Sequence, residues 1–331
     1  MNNTKVNRVE WIDVAKGIAI ILMILGHCIS IDSWFRLIIF SFHMPFFLIV
    51  SGYFYKRTNF KIFIKKQVQG LLIPYCIAIT IEYTLKIIFQ NWPLQNTVIT
   101  GFFSIITGLS YTSKISYVHA VGTGVLWFLP MLFCVRLIFY LVEKYLKEKN
   151  LLIATVVIFL VLTGYWLGKA GYWLPYSLDV ALYSLIFYFL GFTIKRFNIS
   201  EIIFKDFRYG IIICLIWIFG VYQRLVLELA TRYYPGILTC IVIALSGTIV
   251  FFYVSYFISK IKVLKNLFIF YGRGTIFIFA IHHLEWVFIP YNKISFINNN
   301  GILFLCKLIV ITFIYIIIKI INRTINKFEK Q

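Results

Sequence analysis

Residues 8–30 read RVEWIDVAKGIAIILMILGHCIS, and after a short polar turn residues 41–57 read SFHMPFFLIVSGYFYKR. Each is an apolar run about as long as a membrane is thick, which takes roughly 20 helical residues. Each also carries ionisable side chains where hydrocarbon penalises them. Lys16 opens the first run and His27 lies eleven residues further on. Eleven residues complete three helical turns to within about 20°, so both side chains share one helix face, about 16 Å apart along the axis.

The rest of the composition agrees with a chain built for lipid. Hydrophobic residues make up 61% and charged residues 13%, whereas a soluble domain carries about a quarter charged residues. A net charge of +20 would point to nucleic acid in a soluble protein. Here the basic residues fall in short clusters between apolar runs, which fits cytoplasmic loops against anionic lipid. The first run lacks a small-residue cleavage site and is followed at once by another, so it reads as a mature helix and not a signal peptide. The six cysteines stand singly in apolar runs, with no metal or redox spacing, and read as packing residues.

The pattern predicts an all-α, polytopic transmembrane bundle of ten spans, near 13–31, 35–54, 71–89, 125–143, 151–168, 179–194, 209–224, 235–257, 268–289 and 302–321. With the N-terminus in the cytoplasm and strict alternation, 23 of the 32 Lys and Arg residues face the cytoplasm. Six face outward (Arg36, Lys114, Lys169, Arg224, Arg232 and Lys293), and three lie within spans (Lys86, Arg136 and Lys307). That bias supports ten spans with both ends inside. No composition shift marks a second domain, so residues 1–331 are expected to form one transmembrane domain with no fused extra-cytoplasmic domain. The longest connection, Gln90 to Gly124, faces outward and is long enough to shape a binding site.

A separation of about 16 Å is roughly the reach of a pantetheine arm from nucleotide to thioester, so Lys16 and His27 could grip two ends of one acyl-CoA. At this point the sequence resembles a known family. Arg8–His27, then Phe42-His43-Met44-Pro45-Phe46-Phe47 and Ser51-Gly52-Tyr53, are similar to the opening of the acyltransferase-3 family of bacterial membrane O-acyltransferases. Lys16 and His27 keep that family's spacing of a basic residue, ten spacers and a histidine. The resemblance implies an acyl donor, expected to be acetyl-CoA, bound from the cytoplasm, and a cell-surface glycan or its lipid-linked precursor as acceptor. It further implies a multi-pass protein of the bacterial cytoplasmic membrane.

Candidate residues follow, each with its structural alternative. A buried imidazole is costly to charge, so His27 is suited to act as a neutral base on an acceptor hydroxyl; otherwise it is a hydrogen-bonded packing histidine. Lys16 reads as a phosphate contact supported by Asp13, or as an interfacial lysine. His43 lies near the depth of His27 and reads as a catalytic or substrate contact, or as a partner for backbone groups freed by Pro45. Lys66 precedes Leu71-Leu72-Ile73-Pro74-Tyr75, which resembles the entry to the family's third helix. Relatives carry a second basic residue where this chain has Gln69, so Lys66 alone stays as a donor contact, with a lipid-facing basic loop as the alternative.

Glu82 and Lys86 have the i,i+4 order of a neutralising pair. Trp127, in Trp127-Phe128-Leu129-Pro130, resembles another family element that lines the cavity, though it could be an interfacial anchor. Arg136 within a span needs a partner, either a carboxylate or a substrate. Gly272-Arg273-Gly274-Thr275 followed by His282 resembles a late family element. His282 and Glu285, three apart, form either a second acid–base pair or an outer polar cluster. His119 reads as surface. No metal site, nucleophile elbow or Walker loop appears. The combined expectation is an O-acyltransferase with His27, His43, His282 and Glu285 in catalytic roles and Lys16, Lys66 and Trp127 on the donor. The competing classes are a transporter or flippase of glycan intermediates or small polar solutes and a membrane scaffold. A homo-oligomer is compatible with all of these.

Overall fold

The computed structural model describes residues 9–111, 113–115, 118–120, 122–147, 149–199 and 207–328. Arg8, and the side chains of Lys114 and His119, lie outside the described residues. The described chain is helical apart from an antiparallel hairpin, β1 (Ser113–Ile115) and β2 (Val118–Ala120), and short turns. The helices are α1 (Glu10–Cys28), α2 (Trp34–Phe40), α3 (His43–Tyr53), α4 (Phe60–Gln67), α5 (Ile73–Gln90), α6 (Leu94–Thr107), α7 (Phe128–Leu146) and α8 (Asn150–Lys169). They continue as α9 (Leu178–Arg196), α10 (Phe207–Tyr222), α11 (Ile237–Ser259), α12 (Lys262–Arg273), α13 (Thr275–Phe288) and α14 (Asn300–Phe328).

Among the described residues seven helical stretches are long and apolar enough to cross a membrane, or eight if the bent pair α12–α13 forms one span. The first expected span, α1, carries Glu10, Asp13 and Lys16 near its start and is not among the seven. The seventh, α10, has 16 residues and is short of the length. Exposed side chains such as Leu151, Phe159, Leu162, Ile309 and Phe313 give α8 and α14 apolar outer faces, as lipid contact requires.

Chain chemistry sets the breaks. Pro45 lacks an amide hydrogen, and its ring would collide with the carbonyl four residues back, at Ser41. The second span accordingly stops at Phe40 and restarts at His43, which places Pro45 in the first turn of α3, where no donor is needed. Near Gly274 the axes of α12 and α13 diverge by 71°. Two expectations change. The stretch holding Lys61, Lys65 and Lys66 is not a loop: it is α4, joined to α5 through a π-turn at Val68–Leu72 into one run, Phe60–Gln90. The connection from Gln90 to Gly124 is not mainly irregular either, because its apolar half forms α6.

Helix contacts are close where side chains are small. A Cβ on Gly17 would overlap the carbonyl of Phe268, and one on Gly272 that of Asp13, so α1 and α12 meet backbone to backbone. Gly52 and Gly191 do the same for α3 and α9, against the carbonyls of Tyr188 and Ile49. Such contacts replace the hydrophobic driving force that helices lack in lipid. They hold α1 against α12 and α3 against α9, with His27 in the last turn of α1 and His43 at the first residue of α3.

Candidate active site

Two cavities enter the bundle and share the residues Met23, His43, Met44 and Phe279. The larger, of about 620 Å³, is lined by four cations, Lys16, Lys56, Lys66 and Arg136, and by no carboxylate among the described residues. The smaller, of about 370 Å³, holds His27 together with Arg36, Trp127, Trp286, Tyr111 and Glu228. The first, beside the basic helix α4, is called the inner cavity, and the second the outer cavity.

Lys16 lies one helix turn from Asp13 and forms an ion pair with it at 2.5 Å, so its charge is partly shared before any ligand arrives. Lys16 and Lys66 line the inner cavity, whereas His27, on the same helix as Lys16, lines the outer one. His43 lies between them as a wall of both. It is buried, 4.5 Å from the Phe40 ring, and its Nδ1 has no hydrogen-bond partner. Trp127 lines the outer cavity and not the inner one that holds Lys16 and Lys66.

The histidine at 27 has specific company. Its ring centre lies 5.4 Å from that of His282, 5.1 Å from Trp286 and 5.6 Å from Phe40. His282 Nδ1 meets Glu285 Oε1 at 2.9 Å, as the i,i+3 spacing predicts, and Lys307 Nζ donates to the same oxygen at 3.1 Å. A carboxylate accepts, so Nδ1 of His282 carries the hydrogen and Nε2 carries the lone pair. That Nε2 is buried and has no hydrogen-bond partner. In the turn after α13, burial and then the nearby Glu285 carboxylate push the Tyr291 phenol above its ordinary range. Burial and then Glu228 do the same for Tyr111 in the outer cavity, which keeps both phenols protonated.

Several contacts were not legible beforehand. His283 Nε2 bonds Glu82 Oε2 at 2.8 Å, so the Glu82–Lys86 pair is a buried three-membered cluster tying α13 to α5. The adjacent histidines therefore point at different carboxylates, a division the dipeptide could only hint at. Arg136 meets no carboxylate among the described residues: Nε donates to Ser51 Oγ at 2.7 Å and Nη1 to Gln67 Oε1 at 2.8 Å. At the outer end, Arg232 is buried against Asp179 at 2.9 Å and under Trp173, and donates to Ser110 of the outer cavity wall. No sequence spacing links Asp179 to Arg232. Gln69 is not on the inner cavity wall, which Gln67 and Gly70 reach instead.

A family model described as an acyltransferase domain matches residues 9–320. The nodulation protein NolL of Mesorhizobium japonicum is 32% identical over 110 residues, 28% of this chain, and the match spans 29% of the length of that relative. No solved structure matches. The polytopic helical chain thus belongs to the acyltransferase-3 family.

Proposed function

We propose that the protein transfers an acyl group, acetyl in the first instance, from cytoplasmic acetyl-CoA to a hydroxyl of a cell-surface glycan or its lipid-linked precursor. The observation that carries this reading is the meeting of an acid-free, cation-lined cavity with a histidine-bearing one at Met23, His43, Met44 and Phe279. A polyanionic donor suits the first cavity. A sugar suits the second, whose Trp127, Trp286 and Tyr111 offer ring faces and hydroxyl-bonding groups. In this reading the ten apolar segments all span, with both ends in the cytoplasm of a bacterial inner-membrane protein.

His27 takes the proton from the acceptor hydroxyl as its oxygen attacks the thioester carbonyl. The tetrahedral intermediate collapses with cleavage of the carbon–sulfur bond, and the proton on His27 passes to the departing CoA sulfur. His282 acts through His27. Its unpartnered Nε2 lone pair belongs to the ring packed 5.4 Å from His27. A rotation of the His27 ring on substrate binding would let it accept from one His27 nitrogen and leave the other unprotonated toward the cavity, while Glu285 fixes the His282 tautomer. His43, at the wall between the cavities, is placed to face the carbonyl. Lys16 and Lys66 hold the donor, and Trp127 packs on the acceptor side of the reacting group. The test is mass spectrometry of the surface glycan from cells making equal membrane levels of wild type or His27→Ala. The acyl mass is expected with wild type and its loss with the variant; unchanged acylation removes His27 as base. A transporter would instead move glycan in vesicles that contain no acyl-CoA.

A further inference from the structure

A guanidinium inside a membrane bundle normally has a carboxylate beside it, because an unpaired buried charge is strongly unfavourable. Lys16 has Asp13, Lys86 has Glu82, Arg232 has Asp179 and Lys307 has Glu285. Arg136 departs from this pattern: among the described residues no carboxylate lies within ion-pair distance of it. Its two protein partners, Ser51 and Gln67, are neutral acceptors that fix the plane of the guanidinium without cancelling its charge. Both line the inner cavity with it. The π-turn at Val68–Leu72 begins directly after Gln67 and re-aims the helix there; π-turns collect at functional sites.

Depth decides which part of a ligand Arg136 would meet. Ser51 lies eight residues along α3 from His43, about 12 Å toward the cytoplasm at 1.5 Å per residue. Arg136 therefore stands between the lysines near the mouth, Lys56 and Lys66, which are exposed, and the junction where the cavities meet. That is the level at which a chain extending from the junction would present its phosphates.

We infer that Arg136, held by Ser51 and Gln67, is the residue that binds the pyrophosphate of the acyl-CoA donor in the inner cavity. The inference rests on the donor reading above. The guanidinium geometry suits two phosphate oxygens at once, which an ammonium would not. The same phosphate chemistry could come from the headgroup of an anionic lipid, so the test separates the two sources.

Full-length wild type, Arg136→Gln and Arg136→Lys are placed in phosphatidylcholine nanodiscs, and stabilisation against thermal unfolding is titrated with CoA and with pantetheine, which lacks the phosphates. In Arg136→Gln the half-maximal CoA concentration is expected to rise about tenfold or more, as for the loss of one charged hydrogen-bonded contact. The pantetheine response should stay unchanged. Arg136→Lys should recover part of the CoA response, and if Arg136→Gln does not fold, a smaller CoA-only shift in Arg136→Lys carries the result. CoA stabilisation equal to wild type in both variants overturns the assignment. So does an equal loss for CoA and pantetheine, which would mark a structural role. Stabilisation by added phosphatidylglycerol and not by CoA, lost in Arg136→Gln, overturns it in favour of a lipid headgroup. A wild type that does not distinguish CoA from pantetheine sinks the donor reading itself, and does so without any variant.

Discussion

Glu285 holds two positive-leaning partners on one oxygen, the His282 N–H at 2.9 Å and the Lys307 ammonium at 3.1 Å. Converting it to glutamine keeps the shape, removes the charge that orients His282, and leaves Lys307 without a counter-ion. Glu285→Gln is expected to lower kcat by about a hundredfold, the range of a lost acid–base contribution, with KM for acyl-CoA unchanged; steady-state kinetics with varied donor checks this. An unchanged kcat would make the cluster a structural tie alone. Lys56 and Lys66 line the inner cavity. Lys66→Gln is expected to raise KM for acyl-CoA several-fold and to make it less sensitive to salt, because exposed charges are screened within about 10 Å at 0.1 M. At this scale the sequence exposed His27, His282 and Glu285, since local spacing links the last two and an apolar run isolates the first. It did not expose His283–Glu82, Arg136–Gln67 or Asp179–Arg232, whose members lie 201, 69 and 53 residues apart. Those pairings are made by the packing of helices, and no periodicity encodes them.

The elements carry the site through backbone contact. α3 approaches α9 where Gly52 and Gly191 each face a carbonyl, and any Cβ there must displace a whole helix. Gly191→Leu is expected to destabilise the bundle by more than the roughly 1–3 kcal/mol typical of overpacking, and fluorescence-detected size exclusion should show loss of the monodisperse peak. A well-folded Gly191→Leu protein would mean that the two helices can separate without harm. The break before α3 was legible from Pro45, because a proline inside a helix lacks the donor and clashes with the turn before it. The continuous run Phe60–Gln90 was not, because a basic amphipathic turn reads the same way as a cytoplasmic loop until packing decides. In α4 the buried Phe63 stacks on Tyr140 of α7, a contact that holds the basic turn helical beside the inner cavity.

Across the whole molecule, hydropathy gave the helical membrane bundle, whereas the two cavities arise only when α1, α2, α3, α4, α7, α9 and α13 come together. The outer cavity also depends on the distant Asp179–Arg232 pair, which pins Ser110 and the chain around Ala230. Asp179→Asn leaves Arg232 buried and unpaired, and a loss of about 3–5 kcal/mol is expected, read as a lowered thermal midpoint. If the midpoint is unchanged, the pair is not what shapes that wall. The central claim is that donor and acceptor reach a shared junction from opposite faces. It is tested most directly with intact membrane vesicles of both orientations from cells making the protein, given radiolabelled acetyl-CoA outside. Inverted vesicles should label the glycan fraction in a His27-dependent way, and right-side-out vesicles should do so only after permeabilisation; equal labelling of intact right-side-out vesicles would contradict the account.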